Sequence, residues 1–360
     1  MAEKKLRAGI IGCGGIANGK HMPSIAKTGK ADMVAFCDIV VERAEKAAKD
    51  YGTKDAKVYA DYKKLLEDKT LDMVYVLTPN RSHSFITIDA LESGKHVMCE
   101  KPMAKTSVEA KAMVDAAKKS GKLLTIGYQT RYFAQSQYIK KTIDRGDLGE
   151  IYYAKAHALR RRAVPTWGVF LNEEEQGGGP LIDIGTHALD LTLWYMDNYK
   201  PKSVMGNVYK KLNSNGVCGN AFGPWDPKEF TVEDSAIGFV TMENGATIVL
   251  ESSWAINMID AFEARATVCG TKGGADMQDG VRINGDEFGR LYVKKPELGA
   301  GGVAFYDGDT GDPNVSEQMV FFNAITKGTP LLVLPEQAFV VTQLLEAIYE
   351  SAKTGKLVEF

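Results

Sequence analysis

From Leu6 to about Thr130, short apolar runs ("LRAGIIG", "ADMVAFCD", "LDMVYVLTP", "KHVMCEK" and "KLLTIGYQ") alternate with amphipathic stretches such as "VERAEKAAKDYG" and "SVEAKAMVDAAKKSG". The apolar runs are nearly continuous, as in strands covered by helices on both faces. Their alternation with helical segments predicts parallel strands joined by right-handed crossovers. Gly52, Gly94 and Gly121 each follow a helical pattern and fit C-terminal caps. After "RYFAQSQYIKKTIDRGDLG", read as a connecting helix ending near Gly146, the texture changes. "EIYYAKAHALRRR", "KSVMGNVYKKL", "DSAIGFVTME", "ATIVLESSWA" and "FEARATVCG" are longer and alternate apolar with polar positions, which predicts a largely antiparallel sheet. Two helical patterns accompany them: "PLIDIGTHALDLTLWYMD", and "PEQAFVVTQLLEAIYESAKTG" with Pro335 near its start and Gly355 at its end. The pattern divides the chain into an α/β domain over 1–130 and an α+β domain with a large, mostly antiparallel open-faced sheet over 131–360, its C-terminal helix free to pack back on the first.

A length of 360 residues supports two hydrophobic cores. The net charge of -2 is spread without any block of like sign, which removes an electrostatic case for nucleic acid or an anionic membrane as partner. Lys4, Lys5 and Arg7 precede only the apolar run Ala8 to Ile11, too short for a signal-peptide core or a membrane span, so the expectation is a cytoplasmic protein. The five cysteines, Cys13, Cys37, Cys99, Cys218 and Cys269, are odd in number, scattered, and never spaced Cys-x-x-Cys. That argues against disulfides and structural zinc and leaves them as small buried apolar residues. Two stretches, 213–230 and 294–316, read as loops long enough to be functional, interface-forming or mobile.

Candidate chemistry changes the picture most at the end of the first strand. Gly12-Cys13-Gly14-Gly15-Ile16-Ala17 is a G-x-G-x-x-A turn opening a helix: Gly12 permits the turn, Gly14 admits a pyrophosphate to the backbone, and Ala17 allows close helix-sheet packing. Alone this motif is equally a glycine-rich turn without ligand, but the next strand ends in Asp38, where an acid binds the adenosine ribose. The pair makes the first domain Rossmann-like, with NAD as cofactor. Arg43 lies close enough in sequence to offset Asp38 and leave NADP open. Thr78, Pro79, Asn80 and His83 follow another strand at the same rim, and Gln129 follows the last; Asn80 and His83 either reach the cofactor or cap a helix.

Glu100, Lys101 and Pro102 interrupt a strand on that rim. A lysine there can donate to a reacting hydroxyl and stabilise a developing alkoxide, Glu100 is read as a neighbour of the cofactor, and Pro102 admits a cis peptide after Lys101. In the second domain, Asp183 and His187 lie four apart on a helical pattern and project from one face, with Gly177 to Gly179 delivering the helix unobstructed. His187 suits a general base and Asp183 orients the substrate hydroxyl or the imidazole. Metal ligation by Asp183 and His187 is an alternative, but a zinc would want a third protein ligand and no second histidine or cysteine has suitable spacing, so no metal is assigned.

Together "GIIGCGGIA", "VLTPNRSHSFITIDALESGKHVMCEKPMA" and "GGGPLIDIGTHALDLTLWYMD" resemble the glucose-fructose oxidoreductase and inositol dehydrogenase family (Gfo/Idh/MocA) over nearly the whole chain. The resemblance implies that Lys101, Asp183 and His187 flank nicotinamide and substrate. It also implies that a ring secondary alcohol of a sugar, glycoside or cyclitol is oxidised or reduced, and that the second-domain sheet forms homodimers or homotetramers. "RRRAVPTWGVF" resembles the branch acting on pyranosides, including levoglucosan and glycoside dehydrogenases that make 3-keto sugars. There Trp167 would be an apolar platform for a sugar ring, where the residue alone equally fits packing at the domain interface, and Arg162 or Thr166 would bond hydroxyls. The alternatives are an inositol dehydrogenase, an NAD-retaining glycoside-cleaving enzyme, and a non-catalytic NAD sensor.

Overall fold

The computed structural model describes residues 5–215, 219–298 and 311–360. These divide into two compact units, residues 5–132 with 311–339 and residues 133–298 with 340–360.

The first unit holds β1 (Leu6–Ile11), β2 (Ala31–Cys37), β3 (Lys57–Tyr59), β4 (Met73–Val76), β5 (His96–Cys99) and β6 (Leu124–Ile126) in one parallel sheet of order β3-β2-β1-β4-β5-β6. The sequence pattern does not reveal β3, which at three residues is too short to show a period. Backbone bonds continue past the strand ends: Gly12 N–H to Cys37 O at 2.8 Å, Leu77 N–H to Ile11 O at 2.8 Å, Glu100 N–H to Val76 O at 2.9 Å and Gly127 N–H to Cys99 O at 2.9 Å. Those bonds hold the segments leaving β1, β2, β4, β5 and β6 to one rim. The order reverses between β1 and β4, where open α/β sheets bind ligands. Gly94 and Gly121 end their helices in the left-handed region, at φ 87° and 64°. Gly52 has φ -75°, and its lack of a side chain answers a close approach, since a Cβ there would crowd Ala48 O and Ala56.

Residues 311–339, read from the pattern as part of the second domain, pack in this unit. The helix Pro313–Lys327 starts inside the stretch taken as a loop. Asp312 caps it by accepting Asn314 N–H at 3.0 Å, and its buried Phe321 and Phe322 join the core around Ile10, Phe36 and Tyr75. Fully buried Arg131 ties the return segment down, donating to Leu332 O at 2.9 Å and Gln337 Oε1 at 2.7 Å. Residues 299–310 of that predicted loop, and 216–218 of the other with Cys218, lie outside the described residues.

The second unit holds nine strands: β7 (Ile151–Leu159), β8 (Pro201–Tyr209), β9 (Ser235–Met242), β10 (Thr247–Ser253), β11 (Arg265–Gly270), β12 (Gly273–Asp276), β13 (Arg282–Glu287), β14 (Arg290–Lys294) and β15 (Val358–Glu359). They run in the order β14-β13-β12-β11-β7-β10-β9-β8-β15. Neighbours are antiparallel except β7 and β10, which are parallel. The row Val204, Val240, Ile248, Ala154 and Val268 is buried on one face. The opposite face is open and carries Met205, Ile237 and Phe239 at 44, 42 and 48 % exposure. Cys269, taken as buried, is only half-buried, whereas Cys13, Cys37 and Cys99 are buried free thiols. Among the described residues no helix is long and apolar enough to cross a membrane.

Candidate active site

The glycine turn is built as its sequence requires. Gly12 has φ 91°, and a Cβ on it would meet Leu77 O at 2.5 Å. Over Gly14 and Gly15 a Cβ would meet nothing within 4 Å, so open space lies beside this stretch of backbone, the room a pyrophosphate needs. Asn18 Nδ2 fixes the turn by donating to Cys13 O and Gly14 O, both at 2.8 Å. Asp38, buried at the tip of β2, accepts Cys13 N–H at 2.8 Å on Oδ2 and Val40 N–H at 2.9 Å on Oδ1, leaving a lone pair on each oxygen for a ribose hydroxyl. Ile16 is exposed beside the turn, and Arg43 is exposed in the first turn of the helix Val41–Tyr51. These residues fit a dinucleotide. Burial, reinforced by Asp38, pushes the Cys13 and Cys37 thiols up to about 12, so they serve as packing and not as nucleophiles.

Thr78, Pro79 and Asn80 stand at the end of β4, with Ser82 Oγ donating to Thr78 Oγ1 at 2.8 Å. His83 is not on the rim surface. It is buried, Nδ1 facing Pro102 O at 2.7 Å and Nε2 facing Thr78 O at 2.8 Å, and burial lowers its pKa against the pull of those carbonyls. Both ring nitrogens are thus engaged with backbone, which makes His83 a strut between two rim loops. Gln129 is half-buried at the start of the turn after β6.

The Lys101–Pro102 peptide is cis. Half-buried Lys101 follows buried Glu100, whose carboxylate turns inward. Oε1 accepts from Lys20 Nζ at 3.1 Å and meets His21 Nε2 at 2.7 Å, while Oε2 accepts the backbone N–H of Lys101 at 3.0 Å. Burial alone would raise the Glu100 pKa, but Lys20, His21 and Lys101 hold its carboxyl well below the usual carboxylate range. Lys20 Nζ also pairs with Glu317 Oε2 at 3.0 Å. Neither Lys20 nor Glu317 shows locally in the sequence, because they meet across 297 positions.

In the second unit, Asp183 lies on a wide π-helical turn, Leu181–Gly185, that leads into the helix Thr186–Met196 bearing His187, and such turns recur at functional sites. The turn hangs from buried Glu233, whose Oε2 accepts Gly179 N–H at 2.8 Å and whose Oε1 accepts Leu181 N–H at 3.1 Å and Tyr349 O–H at 2.9 Å. Burial raises the Glu233 pKa against those three donors. The glycines have a specific cause: a Cβ on Gly178 would overlap the Tyr349 hydroxyl, and one on Gly179 the Glu233 carbonyl. Trp254, fully buried, donates Nε1–H to Asp183 Oδ2 at 3.0 Å. Glu233 and Trp254 are contacts distant in sequence that no local spacing announces.

An aromatic chain leads outward from Trp254. It contacts Phe170 at 6.4 Å, Phe170 contacts Trp167 at 5.7 Å, and Trp167 meets Phe222 edge-on at 4.8 Å. Trp167 and Phe222 are 52 and 46 % exposed. The Thr166 O–H donates to Phe222 O at 2.6 Å and pins the two loops together, and its oxygen keeps lone pairs that can accept from a hydroxyl. Arg162 spends two of its nitrogens on Asn257 Oδ1 at 2.6 Å and Arg161 O at 2.9 Å. Among the described residues no cluster of three or more histidine, cysteine or acidic side chains forms a metal site.

Fold and glycine turn define a dinucleotide-binding protein. Residues 6–128 match the model of the oxidoreductase family with an NAD-binding Rossmann fold, and residues 136–276 match the C-terminal domain of the same family. The chain belongs to the Gfo/Idh/MocA oxidoreductase family. It is 37% identical over 362 residues to the D-glucoside 3-dehydrogenase of Escherichia coli (strain K12), covering 100% of this chain and 99% of that one. It is 28% identical over 275 residues to the inositol 2-dehydrogenase of Salmonella paratyphi B, covering 76% of this chain and 74% of that one. The structure of a levoglucosan dehydrogenase in complex with NADH shares the fold, with a TM-score of 0.83, 22% identity and 99% coverage of both chains.

Proposed function

We propose that this protein transfers hydride between a ring secondary alcohol of a sugar or glycoside and NAD, at C3 of a pyranose, giving a 3-keto sugar. The observation that carries the reading is Lys101, anchored through its backbone to Glu100 on the rim where the glycine turn and Asp38 also end. The full-length likeness to a D-glucoside 3-dehydrogenase supports the position oxidised.

NAD, when bound, accepts the hydride. His187 takes the hydroxyl proton, Lys101 holds the oxygen and stabilises the alkoxide, and Asp183 fixes the geometry. Gly12 to Ile16 cradle the pyrophosphate, Asp38 holds the ribose, and Thr78, Pro79, Asn80 and Gln129 line the cofactor side. Asp38 sets the preference for NAD, with Arg43 the residue through which NADP would be admitted. Trp167, joined by Phe222, offers an apolar wall to the sugar, and the one unspent nitrogen of Arg162, Nε, remains for a hydroxyl. The protein works in the cytoplasm as a homodimer or homotetramer formed through the open sheet face with Met205, Ile237 and Phe239.

The test is NAD and NADP reduction against glucosides, free sugars, levoglucosan and inositols, with the product ketone located by NMR. A faster rate on inositols than on glucosides would move the substrate to cyclitols, and aglycone release without net NADH would indicate glycoside cleavage. Lys101→Met is expected to cut turnover by about 10²–10⁴-fold, the usual worth of a positioned acid-base group, with NAD affinity retained. Unchanged turnover would remove Lys101 from the chemistry.

A further inference from the structure

Beneath Lys101 lies a buried set of charges that the proposed reaction does not itself require. Lys20, Glu100 and Glu317 are 6, 5 and 1 % exposed, and His21 is fully buried. One ammonium, Lys20 Nζ, bridges two carboxylates, Glu100 Oε1 at 3.1 Å and Glu317 Oε2 at 3.0 Å. His21 Nε2 adds a contact of 2.7 Å to Glu100 Oε1, and its Nδ1 faces Gln318 Nε2 at 3.4 Å. That makes Nδ1 the acceptor and Nε2 the donor to the carboxylate. Gln318 is itself fixed by the Tyr75 hydroxyl, which donates to Oε1 at 2.6 Å. The last link is the backbone: Glu100 Oε2 accepts Lys101 N–H at 3.0 Å.

Burying ion pairs is costly, and well-packed apolar side chains often give equal or greater stability. A cluster with two carboxylates around one ammonium is therefore a poor way to hold a core together. It is a good way to fix a direction, because each charged bond has a defined length and partner. The cluster joins three pieces that are remote in sequence. Lys20 and His21 come from the helix that opens after the glycine turn, Glu100 from the end of β5, and Glu317 with Gln318 from the return helix Pro313–Lys327. Glu317 touches neither the glycine turn nor Lys101 through any of these bonds; it acts on Lys20, Lys20 on Glu100, and Glu100 on the Lys101 backbone.

We propose that Glu317 is a positioning residue for Lys101, setting its placement through Lys20 and Glu100, so that the return helix is a working part of the active site. The inference rests on the reading of Lys101 as the group that holds the reacting oxygen.

The experiment is a double-mutant cycle on the full chain, measuring kcat, KM and NADH affinity with the best sugar substrate. Glu317→Gln is expected to lower kcat by about 10²-fold, the cost of a misplacement of an ångström, with KM and NADH affinity nearly unchanged. Glu317→Asp, which keeps the charge but withdraws it by one methylene, should lose less. In a Lys101→Met background, Glu317→Gln should change the residual turnover by less than about twofold, the limit of independent behaviour. A purely structural role would lower turnover equally in both backgrounds, and that result would overturn the proposal, as would wild-type kcat in Glu317→Gln. If Lys101→Met alone leaves turnover unchanged, the reading of the site fails first. If Glu317→Gln does not fold, the same cycle run with Glu317→Asp decides the matter.

Discussion

The two units support the side chains proposed to react by opposite means. Under Lys101 the supports are buried charges, Lys20, Glu100 and Glu317, tied together by bonds of 3.0 and 3.1 Å. Under Asp183 and His187 they are mostly neutral donors aimed at carboxylates: the amides of Gly179 and Leu181 and the Tyr349 hydroxyl on Glu233, and the Trp254 indole on Asp183. The local backbone is nevertheless alike. Each support begins at a glycine-rich turn followed by one wide π-helical turn, Ala17–His21 in the first unit and Leu181–Gly185 in the second. The comparison teaches that the turn sets where the side chains emerge, while the surroundings decide the electrostatics. A charged support fails abruptly when one partner is lost, since the others remain buried and uncompensated; a neutral one fails by single hydrogen bonds.

The largest effect follows from the charged corner. Glu100→Gln leaves Lys20 paired with Glu317 alone and removes the carboxylate that accepts His21 Nε2–H, and is expected to cost about 3 kcal/mol of folding stability, the lower end for a buried pair that loses one partner. The pH dependence has a definite sign. The Glu100 pKa is depressed well below its ordinary 4.5, so its contribution is present above that value and is lost as pH falls through the folded value. Thermal melts from pH 7 down to 3 should therefore show the wild type losing stability more steeply below pH 4.5 than Glu100→Gln. Parallel curves for the two proteins would mean that the corner is not held by charge. In the neutral cradle, Gly179→Ala pushes a methyl into the Glu233 backbone carbonyl, which cannot rotate away. It should cost about 1–3 kcal/mol, read from denaturant unfolding.

How far the sequence carried the reading differs between the same two regions. The glycine turn at the end of β1, Asp38 at the end of β2, Lys101 after β5, and Asp183 and His187 on one helical stretch were placed correctly in the fold because each belongs to a local pattern: a turn, a strand end, a helical spacing. The strand interrupted at Glu100 pointed correctly to a corner, but the direction of Glu100 itself was not legible, because it depends on Lys20 and on Glu317, 217 positions further along. The return helix was hidden because its first turns, "PNVSEQ", are polar and its Phe321 and Phe322 become informative only against Tyr75. Thr166 and Arg162 carried the right chemistry for hydroxyl binding, yet their bonds to Phe222 O and Asn257 are set by loops that no periodicity describes. The three glycines before Pro180 were legible as a demand for space, not as the place where Glu233 and Tyr349 enter.

The smallest effect tests the neutral side at its most direct contact. Trp254 is fully buried, packed against Phe170 and Phe230 at 6.4 and 6.2 Å, and donates one hydrogen bond to Asp183 Oδ2. Trp254→Phe keeps an aromatic ring in that packing and removes the donor. A hydrogen bond to a charged acceptor is worth about 1.5–3 kcal/mol, and only the part that orients Asp183 during turnover reaches the rate. A loss near 1.4 kcal/mol corresponds to about tenfold in kcat. The expected result is that tenfold fall with KM changed little, because the bond holds a side chain and not the sugar. Stability falls separately, through the small cavity left by the lost ring, and is measured by unfolding so that kcat can be referred to folded protein. Wild-type kcat in a stably folded Trp254→Phe would show that Asp183 is oriented by other groups. The neutral cradle would then be a matter of packing alone, and the contrast with the charged corner beneath Lys101 would lose its functional half.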